Sequence, residues 1–211
     1  MCHRTVESMR LEDGILQNAR YHKMRVERTI RNYYHRNLPP ELNDLGFFID
    51  DAGLPDAYRI GRVKCRMLYD FADSIPSYKF EYTHYHKRVV SSLRLVEGSP
   101  DYCFKYTDRR VINHLFDKRD GCDDIIIVKN GLLTDASAAN IAIVKDNRWF
   151  TPSKPLLKGT ERARLIKEGK LYEADIRASE LYDFDAVVLI NAMCPFEEGI
   201  QIPLSSVKGL K

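Results

Sequence analysis

The sequence predicts an α+β chain in two parts, a small α/β half over residues 1–97 and a larger half with a covered sheet over 98–211. Three observations carry this. Ala19, Val26, Ile30 and Tyr33 recur at helical spacing between strand-like stretches. Farther on, "IIIV" (125–128), "IAIV" (141–144) and "AVVLI" (186–190) are continuous apolar runs, the pattern of strands buried on both faces. Between the two regions, "EGSPD" (97–101) has linker composition.

Taken in order, residues 5–11 read as a strand ended by the turn residues Glu12, Asp13 and Gly14. A helix follows from Ala19 to about Tyr34, and Pro39 and Pro40 close that region. "RVKCRMLYD" alternates Arg62, Lys64 and Arg66 with Val63, Cys65 and Met67, which predicts a half-exposed strand with a basic face. "YKFEYTHYHKRVVSSLRLV" reads as further strand. Helices are predicted over 107–118 and 160–168, the first capped by Thr107 or Asp108.

Composition narrows the function classes. The 211 residues suit one large domain or two small ones, and 33 Lys plus Arg against 30 Asp plus Glu gives a net charge of +3. That is too mild to argue for nucleic acid. "RVERTIRNYYHRN" mixes basic and aromatic residues as RNA-binding surfaces do, but a helix packed on one side and solvated on the other explains it equally. The five cysteines are scattered and form no CxxC pair, so a reduced, cytoplasmic protein without a zinc site is expected. No apolar run approaches a membrane span, and the N-terminus lacks the apolar core of a signal peptide.

The chemistry centres on "NGLLTDASAAN" (130–140), where Asp135 ends an apolar strand and is followed by very small residues. An isolated Asp is usually a turn or capping residue, but three features supply partners. Lys105 stands between Phe104 and Tyr106, where apolar surroundings lower an amine pKa as imine chemistry needs; a surface lysine lying along apolar groups is the plain alternative. In "LLKGTERARL", Gly159 precedes a helix start whose N–H groups suit an anion. In "HKMR", His22 and Arg25 lie on one side of the first helix, where Arg25 borders the apolar stripe and suits phosphate, or is a solvated arginine. A nucleophilic lysine, an acid in a roomy pocket and a phosphate clamp together describe pyridoxal 5'-phosphate (PLP), with Asp135 on the ring nitrogen and the small residues making space near the cofactor.

The chain resembles the class IV (fold type IV) pyridoxal-phosphate aminotransferase family, which includes branched-chain and D-amino-acid aminotransferases and 4-amino-4-deoxychorismate lyase. "VESMRLEDG" is similar to the family's opening strand and turn, "HKMR" to its H-x-x-R, and "KYTDR" to the segment of its Schiff-base lysine. "GLLTDASAANIAIVKDNRWFTP", "LLKGTERARL" and "FDAVVLINAM" follow in the family's order. The resemblance implies a small N-terminal α/β domain and a larger C-terminal domain with a mixed sheet or barrel. It implies a homodimer that acts on a small-molecule amine or amino acid, as an aminotransferase or a 4-amino-4-deoxychorismate lyase-like enzyme. Lys105 would form the Schiff base and move the proton. Asp135 would replace the family's glutamate, one methylene shorter. Arg25 would bind the phosphate, and backbone N–H groups of Thr160, Glu161, Asn191 and Ala192 would complete its cup. Arg66 and Arg88 are the cations for a substrate carboxylate, and Tyr106, with Tyr82 and Tyr85, would line the site; for each, solvated charge or packing is the competing role. A member of the family that has lost activity is the alternative that Asp135 raises and Lys105 opposes.

Overall fold

The computed structural model describes residues 5–209 and divides into two compact units. The first takes in the chain up to Lys87 and the short segment Phe104–Asp108; the second takes in Arg88–Cys103 and the chain from Arg109 onward. The change of unit therefore precedes the expected boundary at residue 97. Residues 93–97 form a strand that pairs in parallel with a strand of the second unit, and this pairing assigns them there.

In the first unit, β1 (Thr5–Glu12), β2 (Ile15–Leu16), α1 (Ala19–Tyr33), α2 (Leu45–Asp51), β3 (Arg62–Asp70) and β4 (Ser77–His84) follow in order. The strands form an antiparallel sheet in the order β2-β1-β3-β4. Asp13 and Gly14 join β1 to β2 with φ of 49° and 80°, the mirror-image turn geometry that suits hairpins. The alternation expected of β3 is present: Val63, Cys65 and Met67 are fully buried, while Arg62, Lys64 and Arg66 are not. They pack with Met9, Leu11, Val26 and Ile30, and each such aliphatic side chain contributes about 1.5–3 kcal/mol by leaving water. The buried face of α1 is not wholly apolar. It carries His22, Arg25 and Thr29 beside Val26 and Ile30.

The second unit contains β5 (Leu93–Glu97), α3 (Arg110–Phe116), β6 (Asp124–Lys129), β7 (Leu132–Ala136), β8 (Asn140–Lys145), β9 (Arg148–Pro152), α4 (Thr160–Lys167), β10 (Tyr172–Ala174), β11 (Ala186–Ile190), β12 (Ile202–Pro203) and β13 (Val207–Lys208). Among the described residues these strands form one mixed sheet, β10-β9-β8-β7-β6-β5-β13, with β11 also on β8 and β12 on β11. The continuous apolar runs behave as expected. Ile141, Ile143 and Val187 enter one core cluster, while their neighbours Ala142, Val188 and Ile190 enter another on the opposite face.

Two local expectations are corrected. Residues 85–92 are loop rather than strand, because Asp123 Oδ2 takes the backbone N–H and hydroxyl of both Ser91 and Ser92 at 2.7–3.0 Å, donors a ladder would otherwise use. The helix predicted from 107 begins at Arg110, with Arg109 rather than Thr107 or Asp108 at the cap. Cys2 lies outside the described residues; Cys65, Cys103, Cys122 and Cys194 are outside any disulfide. No helix of the described residues is long and apolar enough to cross a membrane.

Candidate active site

The expected site residues fall into two groups, one in each unit. In the first unit, β1 alternates so that Glu7 faces α1, where His22 and Arg25 stand one turn apart. Arg25 grips Glu7 with two parallel hydrogen bonds, Nε to Oε2 at 3.0 Å and Nη2 to Oε1 at 2.6 Å, and His22 Nδ1 bonds Oε1 as well. All three are buried. Burial alone would raise the Glu7 pKa, but the Arg25 charge and the hydrogen bonds from His22 and Arg25 outweigh it and bring it down to about 2. Glu7 is thus an anion, so His22 Nδ1 carries the proton and donates it. Burial holds His22 below its ordinary pKa, and the nearby charges of Arg25 and Lys105 add to this against the pull of Glu7. Its Nε2 is buried and has no hydrogen-bond partner among the described residues.

Lys105 belongs to this unit. Its carbonyl accepts the Val6 N–H at 2.9 Å, and Tyr106 pairs with Thr5, so the lysine segment is laid against β1 next to Glu7. Lys105 is half-buried. The Tyr106 ring packs edge-on against Tyr33 at 5.5 Å, which gives it a packing role. Arg66 is not an unengaged cation: its cross-strand neighbour Glu81 takes Nη1 at 2.6 Å.

In the second unit, Asn130 and Gly131, with φ of 54° and 75°, turn β6 into β7 and deliver Asp135 to the end of that strand. Asp135 is 5% exposed. Asn140 Nδ2 donates to its Oδ1 at 2.7 Å and the Leu157 N–H donates to its Oδ2 at 2.8 Å. Burial is the larger effect here and lifts its pKa to about 6, against the donors Leu157 and Asn140 and the charge of Arg162. The small residues after it have another duty than clearing space. They are the β7–β8 turn, closed by Ala136 N–H to Ala139 O at 2.9 Å. Short side chains there let three longer ones reach the backbone: Arg109 Nη2 donates to Ser137 O at 2.6 Å, Asn191 Nδ2 to Ala138 O at 3.2 Å, and the Ser137 N–H donates to Asp124 Oδ1 at 3.3 Å.

Thr160 and Glu161 open α4 and are buried. The Glu161 carboxylate is held by Arg164 at 2.6 Å and by the Phe196 N–H at 3.0 Å, which offsets its charge beside a helix start suited to anions. Asn191 corrects an expectation. Its N–H donates to Cys194 O at 3.1 Å while its Oδ1 takes the Met193 and Cys194 N–H groups, so this N–H is spent inside the turn that also holds Ala192. Arg88 is likewise engaged, with Asp124 Oδ2 at 3.3 Å, with the Asp123 carbonyl, and over the Phe116 ring at 5.4 Å. Glu7 and Asn140 were missing from the expected site. Glu7 gave a signal as the acid of "VES", and Asn140 as the amide that follows the small residues.

Comparison with known proteins shows what the chain as a whole is similar to. An uncharacterized protein of Haemophilus influenzae is 33% identical over 188 residues, which covers 89% of this chain and 96% of that one. A Schizosaccharomyces pombe protein named "Putative aminodeoxychorismate lyase" is 27% identical over 116 residues, half of each chain. Among solved structures, a "putative 4-amino-4-deoxychorismate lyase" from Haemophilus somnus is 31% identical with a TM-score of 0.82 and covers 92% of this chain and 98% of its own. A PLP-bound hypothetical aminotransferase from Mycobacterium tuberculosis, 17% identical with a TM-score of 0.76 over 98% of this chain and 82% of that one, shares the fold. Residues 5–196 match the family described as amino-transferase class IV, and the chain belongs to it.

Proposed function

We propose that the chain is a PLP-dependent enzyme acting on a primary amine, in the manner of 4-amino-4-deoxychorismate lyase. The observation that carries the cofactor is Asp135, a buried carboxylate presented by two donors at the end of β7. The site passes a test of fit on three counts. The two Asp135 oxygens offer about four lone-pair sites in all, more than the donors from Asn140, Leu157 and Leu156 take up. A side chain at Gly159 would collide with Asn140 Oδ1, so the entry to α4 is bare backbone as a phosphate requires. His22 Nε2 is a buried, unpartnered acceptor within electrostatic reach of Lys105.

In this reading Lys105 is the amine that holds the cofactor and moves the substrate proton, and Asp135 keeps the ring nitrogen protonated. Arg25, gripped by Glu7, would be the arginine that binds the phosphate, and the N–H groups of Thr160, Glu161 and Ala192 would be its backbone donors. When bound, PLP supplies an electron sink. Glu7 and His22 orient Arg25, and burial of the triad excludes water from it. The names of the relatives at 27% and 31% identity support the lyase reaction, in which aminodeoxychorismate yields 4-aminobenzoate and pyruvate.

Borohydride reduction with PLP, followed by peptide mapping, should leave a pyridoxyl group on the Lys105 peptide. In a separate, unreduced sample loaded with PLP, aminodeoxychorismate should yield 4-aminobenzoate and pyruvate in equal amounts. Pyridoxylation without pyruvate, together with amine transfer to a 2-oxo acid, would replace the lyase by an aminotransferase. A label on any other lysine would end the cofactor reading. The proposal includes a homodimer, as closed two-fold assemblies are the commonest. Sedimentation at micromolar concentration should give twice the chain mass of 24.5 kDa, and a single monomer boundary would refute it.

A further inference from the structure

We infer that Asn140 is a positioning residue that aims the Asp135 carboxylate and ties it to the entry of α4. The two are direct cross-strand partners, the pair through which β7 meets β8. Asn140 Nδ2 spends one hydrogen on Asp135 Oδ1 at 2.7 Å and the other on Leu157 O at 2.9 Å. Leu157 closes the ring by giving its own N–H to Asp135 Oδ2 at 2.8 Å. Two acceptors facing Nδ2 fix the orientation of the amide. Its remaining atom, Oδ1, abuts Gly159 so closely that no Cβ fits there. One buried side chain therefore joins the acid on β7, the segment ahead of α4 and the first backbone step into that helix.

Chemistry limits what can stand at 140. Alanine would leave Asp135 Oδ1 and Leu157 O without their shared donor. Aspartate would set a second carboxylate against the first. Asparagine neutralises nothing, so Asp135 keeps its charge for a ligand and loses only its freedom to rotate. Arg162 of α4 is the cation acting on Asp135, and it is anchored elsewhere, to Glu173 at 2.6 Å and Pro152 O at 2.8 Å. Aiming the carboxylate thus falls to Asn140 and to the backbone N–H groups of Leu156 and Leu157. The catalytic consequence rests on the PLP reading, whereas the geometry involves protein atoms alone.

The test is a carbon-13 titration of the Asp135 carboxyl in the cofactor-free protein. Asn140→Ala should raise its midpoint by about one pH unit or more, the effect of losing a hydrogen bond to a charged group. Gly159→Ala, which never touches Asp135, should raise it too, because the new Cβ displaces the Asn140 amide. Asn140→Ser retains a donor and should fall between wild type and alanine. These two variants carry the test if Asn140→Ala does not fold. Midpoints equal to wild type in folded variants would overturn the inference. A shifted midpoint without pyridoxylation of wild-type Lys105 would leave this inference standing and end the cofactor reading; labelling without a shift would do the reverse.

Discussion

Replacing Lys105 by alanine should lower turnover by about 10²–10⁴-fold, the usual worth of a positioned proton-transfer group, and should remove the covalent label altogether. Folding should survive the substitution, so that the loss of turnover is not a loss of structure. The feature that fixes this segment is its carbonyl, which accepts the Val6 N–H at 2.9 Å and is untouched by the substitution. The decisive comparison sets turnover at saturating PLP beside a urea unfolding curve for the same preparation. Turnover within a few-fold of wild type would move the chemistry to another amine. A collapse of stability would show that the side chain is structural.

The second large effect concerns folding. Glu7→Gln should cost roughly 3–5 kcal/mol at pH 7, because it removes the carboxylate charge that the Arg25 guanidinium, 7% exposed, grips in the buried triad. The pH dependence has a definite sign. Glu7 is depressed from 4.5 to about 2 in the folded protein. Its contribution, up to roughly 3 kcal/mol by linkage, is therefore present above pH 4.5 and is lost as pH falls through 2. The stability gap between wild type and Glu7→Gln should accordingly be widest at neutral pH and should shrink between pH 4.5 and 2. Urea unfolding at pH 7 and pH 3 measures it. An equal gap at both would mean that Glu7 is not the ionised member of the triad.

What the sequence made legible follows from period and length. The α1 stripe and the alternation of β3 were readable because each spans several repeats of its own period. The runs at 125–128, 141–144 and 186–190 were readable because strands covered on both faces need no polar positions. The strands β2, β10, β12 and β13 have two or three residues and no period to detect. In the site, Lys105 and Asp135 stood out by local context. Glu7 did not, since its partners lie 15 and 18 residues away and meet it only after α1 folds onto β1. Arg66 and Arg88 looked like ligand-binding cations because Glu81 and Asp124 are brought to them by strand register and by a loop, neither of which the sequence displays.

The chain passes between its two units at residues 87, 103 and 108, and this has a consequence for synthesis. The first unit does not finish with the first stretch of polypeptide. The five residues Phe104–Asp108 pair with β1 through Thr5 and Val6. On a ribosome, β1 emerges long before this partner, and the edge of its N-terminal end that faces away from β3 must wait uncovered until the partner follows. At about 5–20 residues per second the wait is roughly 5–20 s. The lysine assigned to the chemistry is thus added last to a unit whose other strands are already in place, and an N-terminal fragment ending at Lys87 would lack it.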